Sequence, residues 1–374
     1  MLITVENTIQ EVKSIVSAGG DVEFTNEATM KFFDIIVAFK AVGKQQSNES
    51  KVFAFPYPAT DNYIMPSFTN KVKAILKEAS AGRKQANIML TGEAGTGKTE
   101  FVYHIFKDCG YDRVYQINGG EELSVDDFFG SVQVRSKDGV SVTEFVAGVA
   151  YKALIHGTKV DENGKQVLDE NGNPIVIGKP ALLFIDEFAS ILPSVFLQTG
   201  NRLLEFGKNK PYRTIEITKN NGEVLKSHPG FTIIMAGNTT GDGTMSTSLA
   251  GYTAQNNPMD KSTKNRITSA FHFDYNLNAE KNYLNGVENA ENIIKFVDRI
   301  RDDFKKGMIQ TNLTTRDVIK IAENYHTYKE YGIANPLEEA LMDSIGNMLP
   351  ENDLLHYQNC GREMLQMSNA FATE

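Results

Sequence analysis

Residues 86–106 read A-N-I-M-L-T-G-E-A-G-T-G-K-T-E-F-V-Y-H-I-F. The apolar run Ile88, Met89 and Leu90 has the character of a buried parallel strand. Gly92 to Thr99 then matches G-x-x-x-x-G-K-[ST] in full, and Phe101, Val102, Ile105, Phe106 and Cys109 follow on one helical face. Each residue type has a physical reason to be there. Glycines let backbone N–H groups turn inward around phosphate oxygens, and a helix N-terminus adds free donors and a positive dipole end. Lys98 is suited to the β- and γ-phosphates and Thr99 to Mg²⁺. The segment Gly92, Glu93, Ala94, Gly95, Thr96, Gly97, Lys98, Thr99 and Glu100 is therefore read as a nucleoside-triphosphate loop, with ATP and Mg²⁺ as the expected ligands.

A second landmark answers the first. Ala181-Leu-Leu-Phe-Ile-Asp186-Glu187 is a buried strand with two acids at its C-terminal end, where open α/β sheets place ligands. Asp186 is expected to hold the Mg²⁺ shell, and Glu187 to orient and deprotonate the attacking water. A third apolar strand, Phe231 to Asn238, ends in a polar residue. Asn238 either bonds the attacking water or the γ-phosphate, or is only a turn-former capping a strand end.

Working outward, Ser67–Ser80 reads as a helix leading into the loop, and Arg113–Ile117 as a second strand. Phe128–Val134 and Val140–Phe145 read as a hairpin around Asp138-Gly139, and Ala147–His156 as a helix. Asp161-Glu-Asn-Gly164 recurs as Asp169-Glu-Asn-Gly172. The spacing fails a calcium loop, so a surface β-hairpin insertion is expected. Pro193–Phe206 reads as a helix, and an Asn-Gly turn between Thr214–Thr218 and Val224 onward as another hairpin. Helices are expected at 290–304, 315–325, 336–348 and 353–367, with Thr314 and Thr315 as cap candidates. At the other end, residues 1–43 carry helical spacing broken at Gly19-Gly20, and 43–62 read as a linker.

Composition sets limits. The chain has 374 residues, net charge −9 and two cysteines, Cys109 and Cys360. That charge disfavours broad nucleic-acid or membrane binding, and two cysteines exclude a disulfide framework or a Cys-rich zinc site. No apolar run approaches the ~18 residues of a membrane span, and the first residues lack a basic leader, so the expected compartment is the cytosol.

The ordered set G-E-A-G-T-G-K-T, L-L-F-I-D-E, two hairpins, M-A-G-N-T and S-T-K-N-R-I resembles an AAA+ ATPase of the MoxR branch, particularly the cobaltochelatase small subunit (CobS) and the CbbQ/NorQ activators. The likeness covers residues 64–330. It implies an α/β parallel sheet flanked by helices, two hairpin inserts and a C-terminal helical lid, divided as 1–62, 63–277 and 278–374. It makes Asn238 the sensor 1 residue, Arg316 the sensor 2 arginine, and Arg266 the arginine finger that reaches a neighbouring subunit's γ-phosphate. Asn265 and Ile267 depart from the family's Asp and Phe beside the finger, so Lys264, Arg202 and Arg299 stand as alternatives. The two hairpins would line or cap a central pore. The implied function is a homo-oligomeric, hexameric ring that hydrolyses ATP to remodel a partner, in company with a von Willebrand factor A domain protein. The alternative is a McrB-like motor on nucleic acid in phage or defence systems.

Overall fold

Five runs of apolar residues form one parallel sheet. The computed structural model describes residues 63–137, 140–238, 261–365 and 371, with two short strands ahead of them, β1 (Leu2–Ile3) and β2 (Glu23–Phe24). Contacts divide the chain into units Met1–Val52 and Phe53–Glu374. In the first, β1 and β2 pair in parallel; the helices expected between residues 5 and 37, and the linker at 43–62, lie outside the described residues.

The second unit begins with α1 (Thr69–Ser80), whose Val72, Leu76 and Ala79 recur at helical spacing and are buried. β3 (Asn87–Gly92) follows, buried along its whole length, and runs into α2 (Lys98–Ile105). β4 (Arg113–Asn118) comes next. The short α3 (Val125–Phe129) takes residues expected to open a strand. Its N-cap Ser124 and Asp127 form a capping box, which fixes a helical turn and carries Phe128 and Phe129 into the core. β5 (Gly130–Lys137) and β6 (Val140–Ala147) then pair antiparallel as expected, their turn at 138–139 lying outside the described residues. Val132 and Val134 are exposed on this hairpin.

After α4 (Val149–Ile155), residues 158–179 correct the expected β-hairpin. They make only isolated bridges, Thr158–Val176, Val160–Gln166 and Leu168–Pro174. The cause is local: the Asp161 carboxylate accepts the N–H groups of Asn163 and Lys165, and Asp169 those of Asn171 and Asn173. These repeated side-chain turns compete with a strand ladder, and they use the acids that might have suggested calcium.

β7 (Ala181–Asp186) and α5 (Pro193–Leu204) follow, then the hairpin of β8 (Thr214–Ile217) and β9 (Glu223–Lys226). Asn221 and Gly222 take positive φ in its turn, as the Asn-Gly reading required. β10 (Thr232–Gly237), α6 (Lys261–Lys264) and β11 (Ser269–Phe273) complete the α/β part. Sheet order is β11-β3-β10-β7-β4, all parallel. The strand bearing the phosphate loop therefore lies between β11 and β10, with the acidic strand next but one, and their C-terminal ends share one edge.

The rest is helical: α7 (Leu277–Tyr283), α8 (Ala290–Lys305), α9 (Thr315–Glu330), α10 (Pro336–Ser344) and α11 (Glu351–Leu365). α7 was not expected; Asn276 caps it by accepting from the N–H groups of Asn278 and Ala279. Ile293, Phe296, Val297, Ile300 and Phe304 of α8 pack with Val318, Ile321 and Tyr325 of α9, and with Tyr357 and Phe371, in a core separate from the one around β3. Each such large side chain contributes about 1.5–3 kcal/mol by leaving water, so the helical part has its own stabilising core.

Candidate functional site

The phosphate loop is shaped by glycines that nothing else could replace. Gly92, Gly95 and Gly97 all have positive φ, and a Cβ on Gly92 would stand 2.2 Å from the Phe273 carbonyl oxygen. The loop bends back so that Lys98 is only 8% exposed, and its Nζ donates to the Gly92 and Glu93 carbonyls at 2.8 Å each and to Asn238 Oδ1 at 3.2 Å. Burial pushes the Lys98 ammonium down to about 8, against the pull of Asp186, Glu93 and Glu187; Arg316 adds to the lowering.

Thr99 Oγ1, on the first turn of α2, donates to Asp186 Oδ2 at 2.7 Å. A hydroxyl and a carboxylate this close form the hard-oxygen pair that suits Mg²⁺. Glu187 follows with φ 49, in the left-handed region that a residue with a side chain rarely adopts. Its N–H donates to Asp186 Oδ1 at 3.0 Å, and its side chain is exposed toward the cleft. β4 passes close behind. A Cβ on Gly119 would lie 2.0 Å from the Glu187 carbonyl oxygen, so Asn118-Gly-Gly lets the two strand ends run side by side.

Lys98, Thr99, Glu100, Asp186, Glu187, Asn238 and Arg316 line a single cleft with residues 94–97. Glu93 takes part through its carbonyl. Arg316, near the start of α9, makes no hydrogen bond or ion pair among the described residues. Arg266 is elsewhere. Its guanidinium donates to the Ser262 carbonyl at 2.9 Å, to the Ser262 hydroxyl and to Asn201 Oδ1, and its own carbonyl accepts from Asn87 Nδ2 at 2.8 Å. Of the alternatives, Arg299 pairs with Asp303 at 2.8 Å and Arg202 donates to the Glu216 carbonyl at 2.7 Å.

Several parts of the cleft carry no mark in the sequence. Tyr63 sits where a linker was expected to end; its hydroxyl donates to the Gly97 carbonyl at 3.1 Å and its ring stacks on His104 at 4.9 Å. Burial raises its phenol far above the ordinary value. Ile64, Ala279, Tyr283 and Ile319 form a more apolar side, with Asn276 beside them. No motif marks these positions, because packing alone selects them. Asn87 could not be foreseen either: fully buried, it donates to the Leu204 and Arg266 carbonyls and accepts from Arg213 at 2.8 Å.

Sheet order, phosphate loop and acidic strand end together give the fold of an AAA+ P-loop NTPase. Residues 87–252 match the family described as AAA domain, dynein-related subfamily. Within that class the chain is MoxR- and CobS-like: it is 24% identical over 255 residues to the aerobic cobaltochelatase subunit CobS of Sinorhizobium, spanning 66% of this chain and 67% of that protein. An uncharacterised protein of Staphylococcus aureus (strain USA300) is 27% identical over 233 residues, 60% of this chain and 71% of that one. The RuvB Holliday junction branch migration motor of Thermotoga maritima aligns over 83% of this chain and 80% of its own, with 13% identity and a TM-score of 0.44. Among the described residues no helix is long and apolar enough to cross a membrane.

Proposed function

We propose that this chain hydrolyses ATP and uses the resulting motion to remodel a partner protein. The observation that carries it is the convergence of Lys98, the Thr99–Asp186 pair, Glu187, Asn238 and Arg316 on one cleft. Backbone N–H groups of residues 95–99 receive the phosphates, and Lys98 gives up its carbonyl partners for phosphate oxygens. Thr99 and Asp186 would hold Mg²⁺, which would supply charge neutralisation on the phosphate oxygens. Glu187 takes a proton from the water that attacks the γ-phosphorus, Asn238 orients that water, and ADP leaves with the broken P–O bond's electron pair. Arg316 steadies the γ-phosphate from within the chain.

Arg266, outside the cleft, is suited to act on a neighbour's nucleotide. That reading requires a ring, hexameric by likeness to the MoxR branch, with 63–277 as the nucleotide-binding domain, 278–374 as the lid and 1–62 as a docking region. The two hairpins face the client, and a von Willebrand factor A domain protein is the expected companion, as for CobS-type relatives.

Glu187→Gln is expected to keep ATP and Mg²⁺ affinity while cutting turnover about 10²-fold or more, and Lys98→Ala to weaken nucleotide binding itself. Steady-state hydrolysis beside titration of a fluorescent ATP analogue checks both. Parent-level turnover by the Gln variant would remove Glu187 from the chemistry.

A further inference from the structure

Behind the cleft lies an ion pair that the phosphate chemistry does not use. The Glu280 side chain is completely buried and that of Arg301 is 4% exposed; they meet in a two-pronged contact at 2.7 and 2.8 Å. Burying two charges is unfavourable unless their remaining lone pairs and protons are also satisfied. Here they are. Arg301 Nε donates to the Leu313 carbonyl at 2.8 Å, and Glu280 Oε1 also accepts from the Thr315 hydroxyl at 2.5 Å. Both extra bonds fall on the segment that delivers Arg316 to the cleft.

A third group ties this pair to the phosphate loop. The Arg301 guanidinium lies 3.6 Å above the Tyr275 ring, close enough for a cation–π contact. The Tyr275 hydroxyl donates to the Ala94 carbonyl at 3.0 Å and accepts from Asn312 Nδ2 at 3.2 Å. Ala94 is in the phosphate loop, and Asn312 immediately precedes the Leu313–Thr315 segment. The same two parts also touch directly: a Cβ on Gly95 would stand 2.9 Å from Thr314 Cβ.

We propose that Tyr275 and the Arg301–Glu280 pair are positioning residues that set Arg316 in register with the phosphate loop. The ion pair clamps Leu313 and Thr315 on either side of the α9 N-terminus, and Tyr275 fastens that clamp to Ala94. A shift of the loop on phosphate binding is then passed to Arg316 through rigid contacts, without passing through the nucleotide. None of these residues touches the reacting atoms; they act through Arg316. The inference rests on the ATPase reading above.

The test is a double-mutant cycle in the full chain between Tyr275→Phe, which keeps the ring and loses the hydroxyl, and Arg316→Ala. It is read on ATP turnover and on affinity for a fluorescent ATP analogue. Tyr275→Phe alone should lower kcat about 10-fold and weaken affinity for the analogue a few-fold, with an unchanged Tm. If Tyr275 acts through Arg316, the double variant is no slower and binds no more weakly than Arg316→Ala alone. Effects that multiply, or a Tyr275→Phe variant indistinguishable from the parent, overturn the proposal. Thr315→Val, which removes the hydroxyl to Glu280 at similar volume, runs through the same cycle and decides the matter should Tyr275→Phe lower Tm. A parent chain that binds the analogue yet never hydrolyses ATP defeats the ATPase reading instead, and the affinity cycle still decides the positioning role.

Discussion

Two arginines meet opposite fates in this molecule. Arg316 opens onto the cleft beside Lys98 with no protein partner of its own among the described residues, whereas Arg266 is folded back on Ser262 and Asn201 and lines no part of the cleft. Both lie C-terminal to the phosphate loop, and on the reading proposed above Arg316 would serve its own chain's γ-phosphate and Arg266 a neighbour's. The difference is one of address. A side chain that works within its own chain can be pre-aimed by packing, as Arg316 is by the α9 N-terminus. One that works across a boundary has nothing of its own to aim at, so in a single chain it rests on local polar groups.

The largest expected effect tests that contrast directly. An arginine acting in trans is worth about 10³–10⁵ in rate in the best cases, so Arg266→Ala should abolish hydrolysis while each protomer still binds ATP. Mixing this variant with Glu187→Gln should restore measurable turnover, because some boundaries then join an intact Glu187 to an intact Arg266. The assay is steady-state hydrolysis across a range of mixing ratios, after subunit exchange. Parent-rate hydrolysis by Arg266→Ala alone would make this arginine surface decoration and turn attention to Lys264, Arg202 or Arg299.

A smaller effect sharpens the in-chain half. Gly119→Ala drives a methyl to 2.0 Å from the Glu187 carbonyl, and Glu187 already holds a left-handed backbone at φ 49. Displacement of a reacting group by about 1 Å can cost about 10²-fold. Turnover should fall by about that factor, with affinity for the ATP analogue nearly unchanged because Lys98 and the loop glycines are untouched. Equal losses in binding and turnover would mean that β4 supports the whole phosphate loop and not Glu187 in particular.

The sequence made the chemical half of this site legible because its demands are local. Gly92–Thr99 must bend in a way only glycine permits, and residues 181–185 must be apolar on both faces, so each leaves a mark in consecutive residues. The parts that escaped have non-local causes. Tyr63 and Tyr283 reach the cleft from segments far apart in the chain, and α7 is announced by little more than the Asn276 cap. Among the described residues the buried Arg213 has no carboxylate partner. It is held by the Leu203 and Ala86 carbonyls and Asn87 between the rings of Phe206 and Phe231, an arrangement with no sequence period. At 158–179 the repeated Asp-Glu-Asn-Gly was read for its spacing, while the turns are fixed by the aspartates bonding their own backbone.

The gentlest measurement concerns the charge on Lys98. Burial lowers this ammonium from 10.5 to about 8 in the free protein, so at pH 8 roughly half of the molecules lack the proton there. Phosphate oxygens favour the charged form and raise the value again, so binding an ATP analogue at pH 8 should take up roughly half a proton at this group. At pH 6 the lysine is already charged and its contribution to uptake should vanish. The sign for stability runs the same way. The unfolded chain holds this proton up to its ordinary value, so between about 8 and 10.5 it binds more protons than the folded one, and this group's contribution favours folding increasingly as pH rises through that window. Calorimetric titration in two buffers of different ionisation enthalpy, at pH 6 and pH 8, reads the uptake, with Lys98→Met as the reference that removes the group. If uptake is the same at both pH values, Lys98 is fully charged before the nucleotide arrives. The three oxygens around its Nζ would then compensate burial by themselves, and the cleft would be organised for phosphate before any phosphate binds.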